Sequence, residues 1–249
     1  MEFPLATCLV TGAASGIGRA VSETLLKRGA AVLAADRDAA GLDELAQLGA
    51  RPLAADLTTP EGFDAVVAAA RGADVTHLVN AAGVIALQPL QQVDRRTWQQ
   101  LFAINAEALF FLSQAIVPTL PRGGAVVNLS STSAKTGTTL ETAVYAATKA
   151  AVLSLTRSFA HRCASDGVRV NAVCPGIIDT PMQDKVLADV AASQGTTVAA
   201  LETARIRTVP LGRAASAREC AEVIVFLLSD AAAYMTGQSL NVSGGLVTW

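Results

Sequence analysis

Histidine is nearly absent from this chain: His77 and His161 stand alone, too few and too far apart for a zinc site. The four cysteines, Cys8, Cys163, Cys174 and Cys220, form no CxxC pair, which speaks for buried thiols in a reducing compartment and against a disulfide framework. No metal is expected. No basic block occurs and the net charge is −2, which argues against nucleic acid or an anionic membrane as partner. No apolar run reaches the roughly 18 residues of a membrane span. The first residues lack a basic leader and run straight into a strand-like segment, so a cytoplasmic protein without signal peptide is expected. Aromatics make up only 4% of the sequence against 51% hydrophobic residues, which points to close-packed helices on a sheet. With 249 residues and no repeat or linker, residues 1–249 read as one domain.

What is present begins with LATCLV, residues 5–10, a short apolar run that reads as a buried strand. It leads into GAASGIGRAVSETLLKRG, where Ile17, Val21, Leu25 and Leu26 recur at helical spacing. Between them stand Gly12, Gly16 and Gly18, a G-x-x-x-G-x-G arrangement. Missing Cβ atoms let a backbone approach a pyrophosphate, and the helix N-terminus behind them offers free N–H groups; Ser15 adds a hydroxyl. A second strand ends in Asp36, whose carboxylate suits the hydroxyls of an adenosine ribose and repels a 2′-phosphate; this selects NAD. Arg37 beside it offers the opposite preference.

The alternation continues. Residues 40–48 read as helix, RPLAADLT as a third strand with Asp56 and Leu57 at its tip, and 60–70 as helix. VTHLVNAAG is a fourth strand ending at Asn80, Ala81 and Gly83. Residues 94–120 read as one long helix, with Asn105 polar in an apolar turn, an unfavourable place unless it faces solvent or has a task. GGAVVNL is the fifth strand, VRVNAVCPG the sixth, ending at Pro175-Gly176 with Ile178 and Thr180 beyond, and SLNVSGG the seventh. Residues 177–210 show weak helical pattern and read as a lid over a pocket, or as a plain surface excursion. The pattern predicts an α/β fold: a doubly wound, Rossmann-like, seven-stranded parallel sheet with helices on both faces. Ligands in such sheets bind beyond the carboxyl ends of the strands.

The chemistry concentrates in STSAKTGTTLETAVYAATK, residues 131–149. Tyr145 and Lys149 are four apart on a helix and share a face. A cation beside a phenol favours the phenolate, which prepares Tyr145 to give or take a proton near neutral pH. The hydroxyls before it can hold a substrate oxygen.

Taken together, Thr11 to Gly18, Asn80 to Gly83, Asn105, Ser131, Tyr145 to Lys149 and Pro175-Gly176 resemble the short-chain dehydrogenase/reductase family, from the first strand to the last. The resemblance implies that Tyr145 is the general acid/base, that Lys149 lowers its pKa and binds the nicotinamide ribose, that Ser131 polarises the substrate oxygen, and that Asn105 holds a relay water. It also implies a homotetramer, with the Asn105 and Tyr145 helices as a dimer face. The expected cofactor lining is Gly12, Ser15, Gly16, Ile17, Gly18, Asp36, Arg37, Asp56, Leu57, Asn80, Ala81, Gly83, Pro175, Gly176, Ile178 and Thr180, joined by Tyr145 and Lys149. Two positions depart from the family's pattern: Ala81 replaces a usual Asn, and the stretch from Ser131 to Tyr145 is one residue longer, which leaves Thr132 and Ser133 as alternative hydroxyls.

The sequence therefore reads as an NAD-dependent oxidoreductase acting on a small secondary alcohol or ketone of polyol, hydroxy-acid or cyclic-diol type. The alternatives are an NADPH-dependent 3-oxoacyl thioester reductase, which Asp36 disfavours, and a non-catalytic NAD-sensing regulator, which has no need of an acid/base. Residues 84–90, 134–142 and 182–187 are expected to wall the substrate pocket. Trp249 is expected to pack in the core or at a subunit boundary.

Overall fold

A computed structural model describes residues 2–3, 6–136 and 140–249. Leu5, the expected start of the first strand, and residues 137–139 of the expected pocket wall lie outside the described residues.

In chain order the first half runs β1 (Thr7–Thr11), α1 (Gly16–Lys27), β2 (Ala31–Asp36), α2 (Ala39–Gln47), β3 (Arg51–Ala54), α3 (Pro60–Gly72) and β4 (His77–Asn80). Then come α4 (Arg95–Phe102), α5 (Ala108–Ile116), β5 (Ala125–Leu129), the single turn α6 (Ser133–Thr136), α7 (Ala143–Cys163) and β6 (Arg169–Pro175). The chain closes with β7 (Ile178–Asp179), α8 (Pro181–Gln194), α9 (Val198–Ile206), β8 (Ala215–Ser216), α10 (Ala217–Leu228) and β9 (Ser239–Val242). Seven strands form one parallel sheet in the order β3-β2-β1-β4-β5-β6-β9. The chain leaves β1 in one direction for β2 and β3 and returns to its other side with β4. Thr11 and Asn80 are neighbours at that reversal, where a sheet of this kind opens its binding crevice.

Successive strand side chains point to opposite faces, and each face has its own core. Cys8, Val10, Val32, Ala34, Val79 and Val127 meet Val21 and Leu25 of α1, Leu42 and Leu45 of α2, and Ile224 and Leu228 of α10. Leu9, Leu33, Leu78, Val126 and Val170 meet Val66 of α3, Leu112 and Ile116 of α5, and Cys163 of α7. Each fully buried Leu or Val in these layers contributes about 1.5–3 kcal/mol. Where α10 ends, Arg169 donates to the carbonyls of Leu227, Leu228 and Ser229 at 2.7, 3.0 and 3.0 Å, satisfying groups the helix leaves open. All four cysteines are buried and unpaired.

Three expectations need correction. The long helix over 94–120 is interrupted by a π-turn, Ala103–Glu107, between α4 and α5. The extra residue in that turn rotates Asn105 inward, to 1% exposure. Counted as one unit, Arg95–Thr119 is long and apolar enough to cross a membrane, contrary to the reading that no such run exists. Half of its apolar window is buried in this fold, as in a core helix. Residues 181–206, expected to show only a weak helical pattern, are mostly helical, as α8 and α9. Thr180 caps α8 with Pro181 in its first turn, Gly195 ends it in the left-handed region at φ 63°, and the Thr197 hydroxyl accepts from Ala200 N to start α9. Those capping residues were visible in the sequence; the Ala-rich faces hid the period.

Two of the loop glycines are required by chain-on-chain contact, not by a ligand. A Cβ on Gly18 would stand 2.1 Å from Gly12 O, and one on Gly12, at φ +66°, would stand 2.7 Å from the Ala82 backbone. Gly18→Ala is therefore expected to destabilise the fold by about 1–3 kcal/mol or more, read as a lowered urea midpoint at unchanged slope.

Candidate active site

The crevice at the sheet reversal gathers the β1–α1 turn, the tip of β2, the β4 end and the β6–β7 turn. The α1 N-terminus has Ser15 at its cap position, but the hydroxyl makes no capping bond, and no acidic residue lies in the first turn. Its first N–H groups thus remain available to an anion. A Cβ on Gly16, at φ +53°, would stand 3.5 Å from the Thr180 methyl, so the two loops meet across the crevice. Ile17 is half-buried and packs against the core beneath. Gly176 donates its N–H to Val242 O at 2.9 Å, and Ile178 is buried.

Asp36 is fixed at the β2 tip: Oδ2 accepts from Ala14 N and Oδ1 from Asp38 N, both at 3.0 Å. Each oxygen keeps a lone pair for a further donor. Arg37 is exposed beside it. Asp56 accepts from Thr58 Oγ1 at 2.6 Å and Thr58 N at 2.9 Å, bonds that, with Arg37 nearby, hold its carboxyl below the usual range. Leu57 is half-buried against the sheet core.

Asn80 is placed differently from expectation. Its amide donates to Asn128 Oδ1 at 2.8 Å and Ser113 Oγ at 3.2 Å, inside the core, and its own Oδ1 is buried without a partner. The side chain supports the sheet and leaves only its neighbours to face the crevice. Thr11, which the sequence reading did not single out, orients that segment: its hydroxyl accepts from Ala81 N and Ala82 N at 3.2 Å each. A polar residue closing an apolar strand was the available signal.

Tyr145, Lys149, Ser131 and Asn105 converge next to Gly83. The Ser131 hydroxyl faces the Tyr145 phenol and works to lower its pKa. Ser133 instead donates its N–H to Ser131 Oγ at 3.1 Å. Lys149 is 4% exposed; its Nζ donates to Leu129 O at 2.9 Å and lies 5.7 Å from the Tyr145 ring centroid. A Cβ on Gly83 would stand 3.1 Å from Asn105 Oδ1 and 3.3 Å from Lys149 Nζ, so this glycine leaves room for both. Asn105 donates to Val84 O at 2.9 Å and Thr148 Oγ1 at 3.1 Å, and accepts from Val84 N at 2.8 Å. Ser130 Oγ donates to Lys149 O at 2.8 Å and fixes α7 on β5.

The electrostatics differ from the sequence expectation. Burial pushes the Tyr145 phenol up to about 12, and the Ser131 bond partly opposes it. Burial likewise pulls Lys149 down to about 8. For the phenol, desolvation is the larger effect and raises its pKa despite Ser131. A cavity of about 290 Å³ lies apart from this cluster, under α8 and α9, with Leu187, Arg205, Ile206 and Ala215 among its walls.

A dinucleotide fits what the crevice offers: an open helix N-terminus, a left-handed glycine at Gly16, and an anchored carboxylate at the end of β2. Comparison with known proteins agrees. Residues 12–247 match the family model described as enoyl-(acyl carrier protein) reductase. The chain is 36% identical over 250 residues to a 3-oxoacyl-[acyl-carrier-protein] reductase of Thermotoga maritima, covering 96% of this chain and 97% of that one. It is 38% identical over 255 residues to galactitol 2-dehydrogenase (L-tagatose-forming) of Cereibacter sphaeroides, covering 98% and 96%. A solved short-chain glucose/ribitol dehydrogenase of Brucella melitensis superposes with a TM-score of 0.89 at 32% identity over 100% of both chains. A match this complete in length, in sequence as well as in fold, places the chain in the short-chain dehydrogenase/reductase family, oxidoreductases that work with a nicotinamide coenzyme.

Proposed function

We propose that the protein is an NAD-dependent dehydrogenase that interconverts a small secondary alcohol, of polyol, hydroxy-acid or cyclic-diol type, with its ketone. The observation that carries this reading is the convergence of Tyr145 with Lys149, whose Nζ lies 5.7 Å from the phenol ring one turn along α7, with the Ser131 hydroxyl facing the phenol. In alcohol oxidation the substrate hydroxyl bonds Ser131 and Tyr145. Tyr145 takes its proton while the carbinol hydride leaves, and the carbonyl oxygen that forms stays in the grip of the same two hydroxyls. NAD supplies the hydride acceptor at its nicotinamide ring. Lys149, held by Leu129 O, keeps a positive charge beside the phenolate and offers its remaining protons to the nicotinamide ribose. Asn105 fixes the loop at Val84 and holds the relay water that the family resemblance implies. The α8–α9 pair covers the pocket as a lid.

Asp36 decides the coenzyme. Its anchored carboxylate accepts from ribose hydroxyls and repels a 2′-phosphate. Asp36→Ala is expected to lower the NAD-over-NADP ratio of kcat/KM about 10- to 100-fold, the worth of a hydrogen bond to a charged group. A ratio unchanged within twofold would remove Asp36 from the reading. Trp98 and Phe111, exposed at 48% and 45% on α4 and α5, support a subunit interface on that face within a homotetramer. The buried, unpaired thiols suit a reducing, cytoplasmic setting.

A second reading, an NADPH-dependent 3-oxoacyl thioester reductase, is favoured by Arg37, an exposed guanidinium one residue from Asp36, and by the Thermotoga maritima relative. The deciding experiment offers galactitol, sorbitol, gluconate, a cyclic diol and a 3-oxoacyl thioester with each coenzyme, and follows the absorbance of the reduced nicotinamide. Turnover of an alcohol with NAD supports the first reading; turnover of the thioester alone, with NADPH, replaces it by the second.

A further inference from the structure

The turn α6 is only four residues long, too short to hold itself as a helix in water. It begins two residues after Ser131 and depends on tertiary anchors. One is backbone: Thr132 N donates to Pro175 O at 3.0 Å. The other is a side chain that the catalytic constellation does not include. Lys135 Nζ donates to Asn241 Oδ1 at 2.8 Å, to the Trp249 main-chain oxygen at 2.9 Å and to Ser239 O at 3.3 Å. An ammonium has three protons, and all three are used here.

The acceptors come from two other parts of the chain. Ser239 and Asn241 lie on β9, the edge strand. Asn241 also donates its Nδ2 protons to Val247 O at 3.2 Å and to the Trp249 main-chain oxygen at 3.0 Å, so lysine and asparagine close a triangle over residue 249. The Trp249 ring stays 72% exposed, contrary to core packing, and its main chain carries the contact. At the other end of α6, Ser133 N holds Ser131 Oγ at 3.1 Å, and the Ser131 hydroxyl faces Tyr145.

We propose that Lys135 is a positioning residue, which ties the turn that follows Ser131 to β9 and to residues 247–249 so that all three move as one unit and hold the Ser131 hydroxyl on Tyr145. The proposal rests on the hydride-transfer reading for its consequence in turnover, and on geometry alone for the clamp. With no proton left over, Lys135 is not a substrate anchor, although it stands on an expected pocket wall.

The test uses the full-length protein with Lys135→Met, which keeps the apolar stem and removes the donors, and with Lys135→Arg, which keeps the charge and the donors. Lys135→Met is expected to lower kcat for the alcohol about 10-fold, a misplacement effect, while the dissociation constant for NAD stays within twofold. Lys135→Arg restores at least part of the loss. In parallel, backbone hydrogen exchange over residues 131–136 and 246–249 is expected to rise about 10-fold in both segments together in Lys135→Met, the Ser133 amide included. Exchange that is unchanged, or raised in one segment only, overturns the clamp. Exchange raised in both with kcat unchanged overturns the positioning role. A wild-type protein without hydride transfer to any substrate sinks the functional reading instead, and the exchange result still decides the clamp.

Discussion

Tyr145→Phe is expected to lower kcat for alcohol oxidation by about 10²- to 10⁴-fold, the usual contribution of a positioned general acid or base. The substitution deletes one oxygen and keeps the ring, so α7 packing and NAD binding are expected to persist. The remaining Ser131 hydroxyl still bonds the substrate oxygen but has no group to pass the proton to. The wild-type pH profile follows from the same phenol. Burial pushes it up to about 12, so at neutral pH it stands protonated, ready to donate in ketone reduction. Oxidation needs the phenolate and is expected to accelerate as pH rises from 7 towards 9, whereas reduction does not. Stopped-flow rates in both directions check this, and a Tyr145→Phe enzyme within threefold of wild type would remove the tyrosine from its role.

Lys149→Met is expected to separate activity from stability. The ammonium is buried and its pKa is pulled from 10.5 to about 8. Between those values the unfolded chain binds the proton that the folded chain releases, so folding stability rises with pH through that window. Below it, the buried charge costs roughly 3 kcal/mol net. The methionine variant is therefore expected to gain about 1–3 kcal/mol in urea unfolding at pH 7 and to lose the gain above pH 10. Its kcat is expected to drop about 100-fold, because the phenolate loses its neighbouring cation. Wild-type oxidation should bend near pH about 8, where Lys149 gives up its charge; the variant should rise without that break. A variant that is less stable than wild type and still bends near the same pH would mean that Lys149 is structural.

Much of the architecture was legible because the strands are short apolar runs that end in Gly, Pro or polar residues, and because their alternate residues serve two different helical layers. Leu9 and Val10 illustrate it: neighbours in sequence, they belong to opposite cores. The helices α8 and α9 escaped because alanine blurs their faces, although Thr180-Pro181 and Thr197 announced them. The π-turn at Asn105 has no local signature; only the odd polar residue hinted at it. Within the site, spacing sufficed for Tyr145 and Lys149, since four residues on a helix share a face. It did not suffice for pKa direction, which depends on burial, nor for Asn80, whose amide partners Asn128 and Ser113 lie on other elements. The glycine motif was read correctly in place and incompletely in cause: Gly12 and Gly18 are required by contacts within the chain, and Gly16 by its left-handed φ of +53°. Contacts such as Lys135 to residue 249 span more than a hundred positions and leave no trace in a linear pattern.

The most direct measurement follows one deuterium. A polyol or hydroxy acid labelled at its carbinol carbon is incubated with NAD and either wild-type protein or Tyr145→Phe, and the reduced coenzyme is weighed by mass spectrometry. Label in the coenzyme with wild type, and a trace with Tyr145→Phe despite equal NAD binding, is the predicted result. Equal label from both proteins, or tight NAD binding with no label from any such alcohol, contradicts it.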